Sequence, residues 1–159
     1  DIAEFDENQL KRDTGISKLV KDYTKDIGTA DFVSIHLPCV PATEHFVDAE
    51  FLSGMKKDAF LINTSRGALV DEAALFDILS DKKIAGAALD VFENEPYEPV
   101  NTGKDIRKLD NVLLTPHIGS STIEACNRMA LCCIENVKAA YNKDYNKLNI
   151  LNSQVINKL

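Results

Sequence analysis

Four short apolar runs divide the middle of this chain, and amphipathic stretches separate the first three of them. The runs are DFVSIHLP (31–38), DAFLINTS (58–65), IAGAALDVF (84–92) and NVLLTP (111–116). Each has strand length and is rich in aliphatic residues. Residues 47–56 and 70–83 lie between them and carry helical spacing. Parallel strands need a crossover of about a dozen residues, which a helix of this size supplies. The alternation therefore predicts βαβ units and a parallel sheet. The near-continuous apolar character of the runs predicts strands buried on both faces.

Local signals refine the helices. Within 70–83, Asp71 is the expected N-cap, and Val70 with Leu75 has the spacing of a hydrophobic staple. Leu75, Ile78 and Leu79 supply the apolar face. A last helix is expected from Ser121, at capping-box distance from Glu124, to about Tyr141. Positions 126, 129, 130, 133, 137 and 140 give it one apolar stripe. Leu19, Val20, Tyr23 and Ile27 predict a short helix ahead of the first strand. Ala85, Gly86, Ala87 and Ala88 predict close approach of a helix or a flat ring. Residues 93–110 are polar and hold two prolines, which predicts a long loop of the kind that often carries function.

Composition excludes several classes. A chain of 159 residues is about one domain. A net charge of −7 argues against nucleic acid or an acidic membrane surface as the main partner. Neither a signal peptide nor an apolar run of membrane-spanning length is seen, so a soluble protein is expected. The cysteines, Cys39, Cys126, Cys132 and Cys133, fit neither a disulfide framework nor a CxxC metal spacing. Reduced thiols in a cytoplasmic protein are expected, with no metal site. Cys39 reads as a small apolar filler.

The strand ends carry the chemistry. In an open parallel sheet, ligands bind outside the carboxyl ends of the strands. Arg66 follows AFLIN, Asp90 follows AGAAL with Glu95 soon after it, and His117 follows NVLLTP. These four side chains, far apart in sequence, are predicted to meet at one sheet edge. A guanidinium can grip a carboxylate through two parallel hydrogen bonds, which lysine cannot copy. An imidazole exchanges protons near neutrality, and a neighbouring carboxylate fixes its tautomer. His36, at a strand end, reads as structural, and His45 as exposed. The seven glycines form neither G-x-G-x-x-G nor G-x-x-x-x-G-K, so the loop that usually cradles a diphosphate is not in this chain.

Three blocks occur in a telling order: HLPCVPATEHFVDAEFLSGMKKDAFLINTSRGALVDEAAL, IAGAALDVFENEP and LLTPHIGSSTIEA. Through them the chain, from about Asp31 to Tyr141, resembles the nucleotide-binding domain of the D-isomer-specific 2-hydroxyacid dehydrogenases. NRMA in the last helix leans toward the phosphoglycerate-dehydrogenase-like branch. The resemblance implies an α/β fold: a partial Rossmann-like, doubly wound parallel sheet lacking the first βα unit and its Gly-rich loop. Residues 1–141 would be an incomplete dinucleotide-binding domain. Residues 142–159 would be a tail returning toward a substrate domain outside this chain.

The same resemblance implies an NAD-dependent oxidoreductase that moves a hydride between the cofactor and a 2-hydroxy acid or 2-keto acid. A homodimer is implied as well. His117 and Glu95 would be the acid–base pair, and Arg66 the substrate clamp, also touching cofactor. Asp90 would hold the nicotinamide carboxamide. Thr64 and Ser65 would offer backbone or hydroxyl contacts, and Leu37 would pack against the adenosine, with His36 near the adenine. His117, Ile118, Gly119 and Ser120 would border the nicotinamide. Asp1, with Asp6 as its rival, would accept hydrogen bonds from the ribose. The chain by itself is expected to bind NAD weakly and to show no turnover. An alternative stays open: NAD-sensing transcriptional corepressors share this fold and triad, with the cofactor controlling assembly.

Overall fold

A computed structural model describes residues 6–150 and Gln154. The chain divides into two compact units, one ending at His117 and the other beginning at Ile118.

The first unit opens with α1 (Glu7–Thr14). The Asp6 carboxylate accepts hydrogen bonds from the Asn8 and Gln9 amides, and Gly15 closes the helix in the left-handed region at φ 75°. The helix expected over Leu19–Ile27 does not form; only a 3₁₀ turn at Ile27–Thr29 is present. Paired caps on the polar segment prevailed over a weak apolar period. Tyr23 and Ile27 serve tertiary packing instead. The Tyr23 ring lies 5.5 Å from Phe46 and 5.2 Å from Phe51, and Ile27 is buried.

The sheet contains β1 (Phe32–Ile35), β2 (Phe60–Asn63), β3 (Gly86–Leu89) and β4 (Val112–Leu114). They lie in the order β1-β2-β3-β4, all parallel. The strands are shorter than their apolar runs because their carboxyl ends turn away into site loops. Helix α2 (Ala49–Gly54) joins β1 to β2, and α3 (Glu72–Ser80) joins β2 to β3. Asp71 caps α3 as expected, accepting from the Ala74 amide at 2.9 Å. Val70 and Leu75, at the staple positions, are both buried. The connection from β3 to β4 is the long loop, anchored by a 3₁₀ turn at Ile106–Lys108 whose Ile106 is buried.

The two sheet faces differ, contrary to the expectation from the apolar runs. Leu61, Ala87 and Leu89 share one core cluster with Phe51 and Leu52 of α2 and Leu75, Ile78 and Leu79 of α3. On the opposite face Phe32, Phe60 and Leu113 are 67%, 43% and 65% exposed. Both crossover helices contribute to one core layer, and Phe32, Phe60 and Leu113 are not among the buried core residues of that layer. The small residues of β3 have a local reason. A Cβ on Gly86 would sit 2.5 Å from the Asn111 carbonyl oxygen and 3.1 Å from the Phe60 ring.

The second unit contains α4 (Ile123–Tyr141) and a 3₁₀ turn at Tyr145–Lys147 that packs on it. Its N-cap is Thr122, which accepts from the Ala125 amide at 3.1 Å, and not Ser121. The Ser121 amide instead closes a turn onto the Ile118 carbonyl. Ala139 is buried, whereas Met129 and Val137 of the expected stripe are exposed. Asn136 holds the tail through the backbone amide of Asn149 at 2.8 Å.

Candidate active site

Strand register decides what meets at the carboxyl edge. Ile35, Asn63, Leu89 and Leu114 stand side by side across the four strands. The residues that follow them therefore emerge along one line: His36 and Leu37, then Thr64 to Arg66, then Asp90, then Thr115 to His117. This is where ligands bind in open α/β sheets.

His117 and Glu95 are brought together. Nδ1 of His117 lies 2.7 Å from Oε2 of Glu95. The other oxygen, Oε1, accepts from the Phe92 amide at 3.0 Å. These two bonds, the one from His117 first, hold the Glu95 carboxyl below its ordinary value. An ionised carboxylate only accepts, so Nδ1 is the protonated nitrogen of the ring and Nε2 is left to exchange protons. The His117 backbone sits at φ 53°, in the left-handed region. That conformation costs a residue with a Cβ roughly 1–2 kcal/mol, and such strain gathers at functional sites.

Arg66 follows β2 on the same edge. Its Nη1 donates to the Ser65 carbonyl at 2.7 Å, one of the five N–H groups of the fork. Asn63, 1% exposed, braces this turn from beneath. Its Oδ1 accepts from the Ser65 amide at 3.0 Å, and its Nδ2 donates to the Arg66 carbonyl at 2.9 Å. Ser65 Oγ donates to the Leu37 carbonyl at 2.7 Å, which ties the β1 and β2 loops together. Thr64 is exposed. Asp90 is buried, and its Oδ1 accepts from Thr115 Oγ1 at 2.5 Å.

The remaining expectations divide. Asp1 lies outside the described residues, and its rival Asp6 is occupied as the α1 cap. Gly119 and Ser120 belong to the second unit, where both are exposed. His36 bonds Ser34 Oγ at 2.8 Å. His45 is exposed, as expected, yet its Nε2 reaches Glu93 at 3.0 Å, and that carboxylate raises its pKa. Cys39 is exposed and fills no core gap, because the turn after Pro38 runs over the surface. The described cysteines are free, and no cluster of metal-ligating side chains occurs among the described residues. None of the described helices is long and apolar enough to cross a membrane.

Sequence reasoning passed over Asn63, Gly67, Glu72, Glu93 and Thr115. A polar amide closing an otherwise apolar strand was the one available signal for Asn63, since a buried amide needs partners. Nothing in the sequence marks Glu72 as buried.

Comparison with known proteins identifies the family of this chain. Residues 4–119 match the family model described as D-isomer specific 2-hydroxyacid dehydrogenase, NAD binding domain. A probable 2-ketogluconate reductase of Dictyostelium discoideum is 43% identical over 138 residues, covering 87% of this chain and 40% of that protein. A glyoxylate reductase of Thermofilum pendens is 51% identical over 110 residues, 69% of this chain and 32% of that protein. Among solved structures, a D-lactate dehydrogenase from Sporolactobacillus sp. superposes with a TM-score of 0.74 at 38% identity, covering 87% of this chain and 43% of that one. The chain thus spans well under half the length of the proteins it matches. A parallel sheet with the strand-end His–Glu pair, joined to these matches, places the chain in the D-isomer specific 2-hydroxyacid dehydrogenase family, within its NAD binding domain.

Proposed function

We propose that the protein carrying this chain is an NAD-dependent oxidoreductase that interconverts a small 2-keto acid and the corresponding D-2-hydroxy acid. The observation that carries the reading is the His117–Glu95 bond of 2.7 Å at the sheet edge, formed by a histidine in a strained backbone conformation. The donor set fits the nicotinamide end of a dinucleotide. Asp90 offers a buried acceptor for a carboxamide, and Leu37, Thr64, Ser65 and Arg66 form one braced edge beside it. On the family resemblance alone, Gly119 and Ser120 are proposed as further cofactor-contacting residues and Asp1 as the ribose-contacting residue.

The nicotinamide, when bound, supplies or accepts the hydride. This chain's residues handle the proton and the orientation. Arg66 grips the substrate carboxylate with its planar fork and polarises the adjacent carbonyl. His117 donates its Nε2 proton to the oxygen of that carbonyl as charge builds there, and recovers a proton in the reverse direction. Glu95 holds Nδ1–H, keeps the ring turned, and stabilises the imidazolium.

Further parts of the reading follow from the family and the composition. Residues 1–141 serve as part of the dinucleotide-binding domain and 142–159 as a tail directed to a substrate domain. The protein works in the cytoplasm, a reading that free thiols support, and as a homodimer, a reading that rests on the family alone. With a net charge of −7 it takes no nucleic acid or membrane partner.

Spectrophotometric assay of the whole protein that carries this chain, with NADH and glyoxylate, hydroxypyruvate or 3-phosphohydroxypyruvate, tests the reading. Turnover that collapses in His117→Gln supports it. No oxidation of NADH by any 2-keto acid sinks it.

A further inference from the structure

Glu72 is the first residue of α3, a position where a charged side chain normally reaches water, yet it is 3% exposed. Its Oε1 accepts from the Glu93 amide at 2.7 Å. Glu93 returns the bond: its Oε1 accepts from the Glu72 amide at 2.8 Å. The two glutamates clasp the start of α3 to the loop after β3. Glu93 engages His45 through its second oxygen. The second oxygen of Glu72 is buried and has no hydrogen-bond partner among the described residues. Such an atom costs free energy. Capping does not explain it, because Asp71 already caps α3.

We propose that Glu72 is a positioning residue for the Glu95–His117 pair, acting through Glu93 and the Phe92–Glu95 loop. The proposal rests on the acid–base reading of that pair. Glu93 adjoins Phe92, whose amide anchors one oxygen of Glu95 and leaves the other for His117. Holding the Glu93 amide therefore holds the peptide units that aim the Glu95 carboxylate. Burial pushes the Glu72 carboxyl up to about 7, against the Glu93 amide, and the Glu93 and Glu95 carboxylates add to the rise. A Glu72 that takes a proton near neutrality relieves repulsion within this acidic loop without surrendering its acceptor.

The test follows the Glu95 carboxyl by carbon-detected NMR titration, and the Phe92 amide by hydrogen exchange, without substrate or cofactor. Glu72→Ala should move the Glu95 titration up toward the ordinary carboxylate value and speed Phe92 exchange about tenfold, as for one lost hydrogen bond. Glu72→Gln keeps the acceptor and should restore both. Glu72→Leu fills the same buried space without offering an acceptor to the Glu93 amide, and is read identically if Glu72→Ala does not fold. Leu79→Ala, which destabilises α3 at another point, should leave the Glu95 titration where it is. An unmoved Glu95 titration in folded Glu72→Ala or Glu72→Leu overturns the proposal, as does a Glu72→Gln that behaves like Glu72→Ala. Since no turnover enters these readings, a protein inactive on every keto acid would remove the enzymatic reading and leave the clasp standing.

Discussion

Gly67 and Phe92 are in direct backbone contact. A Cβ on Gly67 would lie 1.9 Å from both the carbonyl carbon and the carbonyl oxygen of Phe92, and 2.5 Å from the Glu93 nitrogen. The turn that presents Arg66 and the loop that presents Glu95 thus touch with no side chain between them. Only glycine permits this, and here the reason is space rather than torsion. Gly67→Ala must push the two segments apart, because the obstructing atoms are backbone. Overpacking of this kind costs roughly 1–3 kcal/mol. Thermal unfolding should show that loss, and kcat measured below the transition should fall as well, since the proposed clamp and the proposed acid–base pair would separate.

Removing either member of the His117–Glu95 pair should cost turnover while leaving the fold. His117→Gln and Glu95→Gln are expected to lower kcat by about 10²–10⁴, the ordinary contribution of a positioned acid–base group. The pairing has a defined pH sense. Glu95 is held below its ordinary value of 4.5 by His117 first and the Phe92 amide second. Its contribution to stability is therefore complete above the ordinary carboxylate range and is lost as pH falls through the depressed native value. Acid unfolding of Glu95→Gln should lack that component; an unchanged acid limb would contradict the assignment.

Glu72 gives the opposite sign. Its native value, raised from 4.5 to about 7, means that the folded state holds a proton the unfolded chain has already released. Its contribution is whole below about 4.5 and declines until about 7. Over that window the wild-type protein should lose roughly 2–3 kcal/mol relative to Glu72→Gln, which cannot ionise. Urea midpoints at pH 5 and pH 8 for the two proteins measure the difference.

Asn63→Ala should uncouple Arg66 from the sheet. The variant leaves the Ser65 amide and the Arg66 carbonyl without their partner at a site 1% exposed. Each buried group left unmade costs about 1–3 kcal/mol. Urea unfolding should report that sum, and KM for the keto acid should rise more than kcat falls, because the carboxylate grip proposed for Arg66 would act in ground and transition state alike.

The two faces of the sheet should answer differently to the same loss. Leu61 is fully buried beneath α2 and α3, and Leu61→Ala is expected to cost about 2–5 kcal/mol. Leu113 is 65% exposed, and Leu113→Ala should change stability by no more than about 0.5 kcal/mol. Chemical denaturation of the pair separates them.

Much of the sheet was legible from sequence because its signals are local. The four apolar runs became the four parallel strands, and Asp71 and Val70 marked the start of α3 through contacts within a few residues. The same locality explains the errors. Apolar period alone suggested a helix over Leu19–Ile27, whereas capping on either side placed α1 at Glu7–Thr14. An apolar strand does not reveal which of its faces a helix will cover, so the exposure of Phe32, Phe60 and Leu113 went unread.

The sequence by itself determined which chemistry was available, since Arg66, Asp90, Glu95 and His117 stand at strand ends or just beyond one, and strand ends share one edge. Only the tertiary structure decided how those groups are held. The His117–Glu95 bond, the Asn63 brace, the Gly67–Phe92 contact and the Glu72–Glu93 clasp all join segments whose separation in sequence carries no periodic signal or lie within turns of irregular backbone. Such contacts depend on the register of the strands and on backbone groups that every residue possesses, and residue identity does not encode them until the sheet has formed.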